Sequence, residues 1–234
     1  MGALAAALLL SGCNMNNTTK GGLIGGAGGG ALGAGLGAAI GALAGGSSGA
    51  KLGAAIGAGV GVAGGATAGV LIGKKMDKAK AAAQAVDNAQ VETVTDKNGL
   101  EAVKVSFDNG ILFKVGKSDL QAKAQASLRQ FANNVLNVYT DCDVAIYGFA
   151  SSEGGEELNL TLSQDRANAV RGFLTNTCGV STSQIKSTTG YGEDPQYLVY
   201  DAAGKEDKNA SRRVEVYLYA SEAMINAANA GTLK

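Results

Sequence analysis

The chain has 234 residues, with 20 lysines and arginines, 20 aspartates and glutamates, and no histidine. The missing histidine excludes Ser-His-Asp and Cys-His nucleophile pairs and imidazole metal sites, and the balanced charge excludes a broad basic footprint for nucleic acid. The composition is lopsided: 22 of the 36 glycines lie between Gly21 and Gly73, whereas every acid and 18 of the bases follow residue 73.

Residues 3–10 are an uncharged apolar run that closes on Leu10-Ser11-Gly12-Cys13 and gives way to polar residues 14–19. An apolar stretch ending in small residues has the shape of a secretory signal, here over residues 1–12 without the basic residues of a normal start. Leu-Ser-Gly-Cys resembles the bacterial lipobox. The resemblance implies removal of residues 1–12, a diacylglyceryl group on Cys13 and a lipidated polar linker over 13–20. The rival reading is a short apolar stretch with an incidental cysteine. Two or more acyl chains make a lasting anchor, and asparagine instead of aspartate at residue 14 implies, by the enterobacterial sorting rule, the outer membrane.

Glycine then occupies every fourth position from Gly21 to Gly73. Such a content disfavours an isolated helix in water, but a small-xxx-small ridge lets two helices approach closely in a bilayer, where the backbone must satisfy itself. Gly46-Ser47-Ser48 marks a turn. The expectation over residues 21–73 is a helical hairpin whose arms are about 37 Å long at 1.5 Å per residue, enough to cross a hydrocarbon core of about 30 Å. This pattern resembles the glycine zipper of outer-membrane lipoproteins. A disordered or surface-associated segment, and a ridge that docks a second copy into a homo-oligomer, are the alternatives. Two Gly-x-Gly-x-x-Gly matches within the segment have neither a preceding strand nor a following acid, and imply no dinucleotide.

Residues 74–90 read as a solvated helical spacer, residues 91–220 as a folded domain, and residues 221–234 as a tail. In the domain, Val91–Val94 and Ala102–Phe107 flank Asp96-Lys97-Asn98-Gly99, the signature of a β-hairpin. Leu120, Ala124, Leu128, Phe131, Val135 and Val138 recur at helical spacing behind a cap at Ser118 or Asp119. A strand at Val144–Gly148, a helix from about Glu157 to Thr177, a short strand from Ile185, a polar loop over 190–210 and a last strand at Val214–Leu218 complete an α/β (α+β) sandwich. Its pattern is β-α-β-α-β.

Four motifs carry a family resemblance: Gly148-Phe149-Ala150-Ser151-Ser152-Glu153-Gly154, Asn159 to Ala167, Gly190-Tyr191-Gly192-Glu193-Asp194-Pro195, and Arg212-Arg213-Val214-Glu215. Their order and approximate spacing, with the start at Ile111-Leu112-Phe113, resemble the OmpA-like peptidoglycan-binding domain. The resemblance implies a mixed sheet and noncovalent binding of the cell-wall peptide stem by the charged head of diaminopimelate, through an aspartate and an arginine. The arginine is Arg166. The aspartate's place is taken by Ser151, and Glu153, two residues on, is the candidate replacement.

At 100° per residue Arg166 falls among Leu162, Ala169, Val170 and Phe173, where a cation requires an anionic partner. That partner is either a ligand carboxylate or an internal acid, Glu153 or Glu215. Asn159 either donates to the ligand or caps its helix; Arg213 either touches the ligand or pairs across the sheet. Cys142 and Cys178 are either a disulfide or two free thiols. No cofactor is expected. The function expected is a non-enzymatic tether between outer-membrane lipid and peptidoglycan; the alternative is a self-assembling membrane protein whose domain does not bind the wall.

Overall fold

The computed structural model describes residues 65–96 and 100–233. The signal peptide, Cys13, the polar linker and most of the expected glycine hairpin lie outside the described residues. Among the described residues, no helix is long and apolar enough to cross a membrane.

The chain order is α1 (Gly65–Gln84), β1 (Ala89–Thr95), β2 (Glu101–Asp108), the single turn α2 (Asn109–Leu112), α3 (Ala122–Phe131), β3 (Cys142–Phe149), α4 (Glu156–Asn176), β4 (Ile185–Gly190), the short α5 (Lys208–Ser211), β5 (Arg213–Ala220) and α6 (Glu222–Asn229). The five strands form one sheet in the order β1-β2-β5-β3-β4. The β3–β4 pair is parallel and the others are antiparallel. The sheet is therefore mixed, as expected, and α4 is the crossover that a parallel pair requires.

Strand alternation builds two faces. Val144 and Ile146 of β3 join Val214, Val216 and Leu218 of β5 in the main core beneath the helices, while Ala145, Tyr147, Phe149 and Tyr217 form an aromatic cluster on the opposite face. Gly148 and Gly190 are register partners on β3 and β4, and α4 rests directly on them. A Cβ at Gly148 would lie 2.1 Å from the Ser163 carbonyl oxygen, and one at Gly190 would lie 2.2 Å from the Gln164 nitrogen. Only a residue without a side chain admits that approach, and it fixes the height of α4 above the sheet.

Several expectations are corrected. Among the described residues α1 contains Gly65 and Gly69 of the four-residue register and runs through Gly73 without a break, so residue 73 is no structural boundary. Ala68, Ile72, Met76, Ala79 and Ala83, spaced 4, 4, 3 and 4 apart, are buried in the main core together with β2 and α6 residues. The segment 74–90 is therefore a core helix and its following turn, not a solvated spacer. Residues 221–234 are not a loose tail either: Ser221 caps α6 by accepting the Met224 amide at 3.1 Å, and Met224, Ile225 and Ala228 are buried. The folded unit reaches beyond 91–220 at both ends.

α3 begins later than expected. Leu120 forms a bridge with Phe113, which holds the chain extended past Ser118 and Asp119, and the N-cap is Gln121 without a side-chain cap bond. A π turn at Ala132–Leu136 follows, with the Asn137 amide donating to the Ala132 carbonyl at 2.9 Å. The extra residue in that turn rotates the apolar stripe, which buries Leu136 and leaves Val138 60% exposed. Cys142 and Cys178 are free thiols. Burial, then the neighbouring Asp141 carboxylate, pushes the Cys142 thiol up to about 12, and burial also raises Cys178.

Candidate functional site

A cleft of about 520 Å³ opens where the ends of β2 and β3, the start of α4 and the approach to β5 meet. Its floor holds Arg166 and Phe113, its rim holds Val115, Leu158, Glu153 and Arg212, and Asp108, Ser151 and Asn159 line its sides. Val115 is 98% exposed and Leu158 64% exposed. The cleft therefore pairs apolar lips with a charged floor.

Arg166 is only 3% exposed. Its Nε donates to the Lys117 carbonyl at 3.1 Å, and its guanidinium carbon lies 5.3 Å from the Phe113 ring centroid. Among the described residues, no carboxylate lies within 4.0 Å of it. Burial, with a smaller contribution from the positive charge of Arg212, pushes its pKa down to about 10. It remains charged at neutral pH. A buried guanidinium with one backbone bond and an aromatic platform offers its remaining donors to a planar oxyanion.

Neither internal acid satisfies it. Glu215 lies on the far face of the sheet, where it accepts Arg213 Nε at 2.7 Å and the Tyr217 hydroxyl at 2.6 Å. Glu153 lines the cleft, but its two oxygens are taken by Lys208 Nζ and Arg212 Nη1, both at 2.7 Å. The ammonium and guanidinium hold the Glu153 carboxyl below its ordinary range, Lys208 first and Arg212 after. Ser151 is 2% exposed, and its Oγ is 3.4 Å from Arg212 Nη1.

Asn159 is a brace. Its amide donates to the carbonyls of Ser151 at 3.2 Å and Glu153 at 2.9 Å, and to the Glu193 carboxylate. The loop turns around it at Gly154, whose φ of +110° favours glycine. The helix N-cap is Gly155, not Asn159. On the outer side, the Ser152 amide and hydroxyl both donate to Glu206. The loop that carries Ser151 and Glu153 is thus tied down on both sides.

Arg213 does not line this cleft. Its guanidinium sits 4.1 Å over the Phe149 ring on the aromatic face and donates to the carbonyls of Tyr197, Ala210 and Ser211 at 3.1 to 3.4 Å. The cleft arginine of that motif is Arg212, which also donates to Asn209 Oδ1 at 2.6 Å. Adjacent residues entering a strand point to opposite faces, and the Val214/Glu215 alternation that follows was the signal separating the two arginines. Asp108 and the apolar lips carried no comparable sequence signal. Among the described residues, no group of three or more histidines, cysteines or acids is placed to hold a metal ion.

The OmpA family model matches residues 112–212, the span from α2 through the cleft to Arg212. Outer membrane porin F of Pseudomonas aeruginosa is 33% identical over 124 residues, covering 51% of this chain and 34% of the porin. A peptidoglycan-associated lipoprotein of Brucella melitensis is 36% identical over 98 residues, covering 42% of this chain and 56% of the lipoprotein. The chain spans less than two thirds of the length of either relative. A crystal structure of a MotB-like protein from Desulfovibrio vulgaris shares the fold at 18% identity and a TM-score of 0.50, covering 64% of this chain and 94% of its own. The chain carries an OmpA-family domain.

Proposed function

We propose that the chain is a non-enzymatic outer-membrane lipoprotein whose domain, facing the periplasm, binds the peptide stem of peptidoglycan noncovalently. Arg166 receives a stem carboxylate at the bottom of the cleft. The observation that carries this reading is a guanidinium only 3% exposed with no acid within 4.0 Å among the described residues. A desolvated cation without an internal partner is costly, and a ligand carboxylate arriving bidentately supplies the missing charge. Relatives named as an outer membrane porin and a peptidoglycan-associated lipoprotein support the same reading. Cys13, acylated, is the membrane end of the tether, and Ser151 and Asn159 shape the cleft wall without contributing charge.

Sedimentation of the full chain with purified sacculi, in detergent, tests this. Wild type is expected to pellet with the sacculi, and Arg166→Ala to lose at least about tenfold in affinity, the cost of removing a charge-assisted hydrogen bond. Wild-type protein that stays in the supernatant overturns the proposal.

A further inference from the structure

A groove of about 740 Å³ opens at the end of β3 opposite the Arg166 cleft, between the 140–143 turn, the approach to β4 and the start of α6. Asp141, Asp143 and Glu222 line it against one cation, Lys186. Asp141 is engaged by Lys75, and Asp143 meets Lys186 at 3.6 Å, beyond the about 2.7–2.9 Å of a close charge-assisted bond. Among the described residues, no lysine or arginine nitrogen lies within 4.0 Å of the Glu222 carboxylate. The wall is therefore anionic, although an acid in the first turn of a helix complements the helix dipole and is no site by itself.

Gln184 adds an oriented acceptor. It lines the groove and is 4% exposed. Its Nε2 donates to the carbonyls of Leu136 at 3.2 Å and Tyr139 at 3.1 Å, a brace across the end of the π turn that uses both amide hydrogens and fixes the plane of the carboxamide. The brace accounts for the nitrogen and not for the oxygen: Gln184 Oε1 is buried without a hydrogen-bond partner among the described residues. A buried acceptor that lacks a donor keeps the full penalty of its desolvation. Among the described residues, no group of three or more acids, cysteines or histidines is placed to hold a metal ion, so the cation that suits this wall is one with N–H donors. A groove of this volume has the size of a small-molecule site.

We propose that the groove binds a small aliphatic polyamine, with one primary ammonium donating to Gln184 Oε1 and the ligand's charges set against Asp143 and Glu222. Lys186 is the site's own competitor, since a ligand ammonium takes its place beside Asp143. The assignment does not depend on wall binding: the groove and the Arg166 cleft share no lining residue.

The experiment titrates the full chain in detergent with spermidine, with triacetylspermidine, which carries no ammonium, and with Nα-acetyl-lysine methylamide, which carries one. Salt at about 0.15 M screens charges farther apart than about 8 Å. Spermidine is expected to bind saturably and to shift the NMR signals of the Gln184 side-chain amide, a readout that general charge attraction would not move. Triacetylspermidine is expected not to bind, and the lysine derivative to bind about threefold more weakly than spermidine, as for the loss of one exposed ion pair. Glu222→Gln is expected to weaken spermidine binding about threefold for the same reason, whereas Lys186→Met is expected to tighten it by a similar factor. Absence of saturable binding, binding that leaves the Gln184 signals in place, or a Lys186→Met variant no tighter than wild type overturns the assignment. Equal affinity for spermidine and the lysine derivative overturns the choice of a polyamine over a lysine side chain.

Discussion

Arg166 is stabilised by less than a buried charge normally needs. Among the described residues it has one hydrogen bond at 3.1 Å, to the Lys117 carbonyl, and the Phe113 ring at 5.3 Å, and Arg212 adds repulsion. Replacing a poorly compensated buried charge with an apolar side chain of similar volume is neutral or stabilising by about 1–4 kcal/mol. Arg166→Met is therefore expected to unfold at equal or higher denaturant concentration while losing the carboxylate site. A loss of stability above about 2 kcal/mol would mean that the side chain is held by an internal partner. The helical position of Arg166 was legible in the sequence, since Leu162, Ala169 and Val170, three of its four neighbours at 3 and 4 residues, are apolar. Which acid faces it was not, because Glu153 and Glu215 are both plausible by spacing and only the sheet's two faces separate them. The same geometry moves Arg213 from the ligand to the Phe149 ring and brings Arg212 into the cleft.

At the scale of elements, the site depends on how closely α4 lies on β3 and β4. Ser163 Oγ accepts the Gly192 amide at 2.9 Å and Gln164 Oε1 accepts the Gly190 amide at 2.9 Å, so the helix is also bonded to Gly190 itself and to Gly192 just beyond β4. Gly148→Ala places a methyl 2.1 Å from the Ser163 carbonyl oxygen, which α4 can relieve only by lifting. The expected cost is about 1–3 kcal/mol, with weakened sacculus binding because Arg166 rides on the same helix. Gly172→Ala, where the nearest atom is 3.9 Å away at the end of the Asn176 side chain, is expected instead to stabilise by about 0.5–1 kcal/mol. Denaturant titration of the two variants checks both, and equal effects of the same sign would contradict this packing. The hairpin, α4 and the last strand were legible because turn residues and hydrophobic period agreed there. α1 was not: nine of its 20 residues are alanine or glycine, so a buried face of Ala68, Ile72, Met76, Ala79 and Ala83 carries little apolar signal. The π turn was equally silent, since one inserted residue changes the face without changing the composition.

The whole molecule joins the end of a glycine register to a wall-binding candidate through a single continuous helix. Gly65, Gly69 and Gly73 belong to α1, and α1 is in turn held to the domain by its core face and by the Lys75–Asp141 ion pair. The chain that leaves the glycine register therefore passes straight into the domain's core. The cleft lies elsewhere, at the Phe149 end of β3, while Lys75 pairs at the Cys142 end, next to Asp141. In the proposed tether, the Lys75 contact and the cleft thus lie at opposite ends of β3. The order of the four motifs made the fold and this cleft legible in the sequence, and the charge partition within the cleft was not, because it depends on which cations Glu153 meets in three dimensions.

The central claim is that Arg166 reads a carboxylate of the wall peptide. Titration calorimetry of the full chain in detergent, with L-Ala-D-Glu-meso-diaminopimelate and with the same tripeptide converted to amides at its diaminopimelate carboxylates, tests it most directly. Amidation is expected to weaken binding to wild type at least about tenfold, as for the loss of a charge-assisted bond, and to have no effect on Arg166→Met. Equal affinity of wild type for the two peptides, or a carboxylate preference that persists in Arg166→Met, would contradict the account.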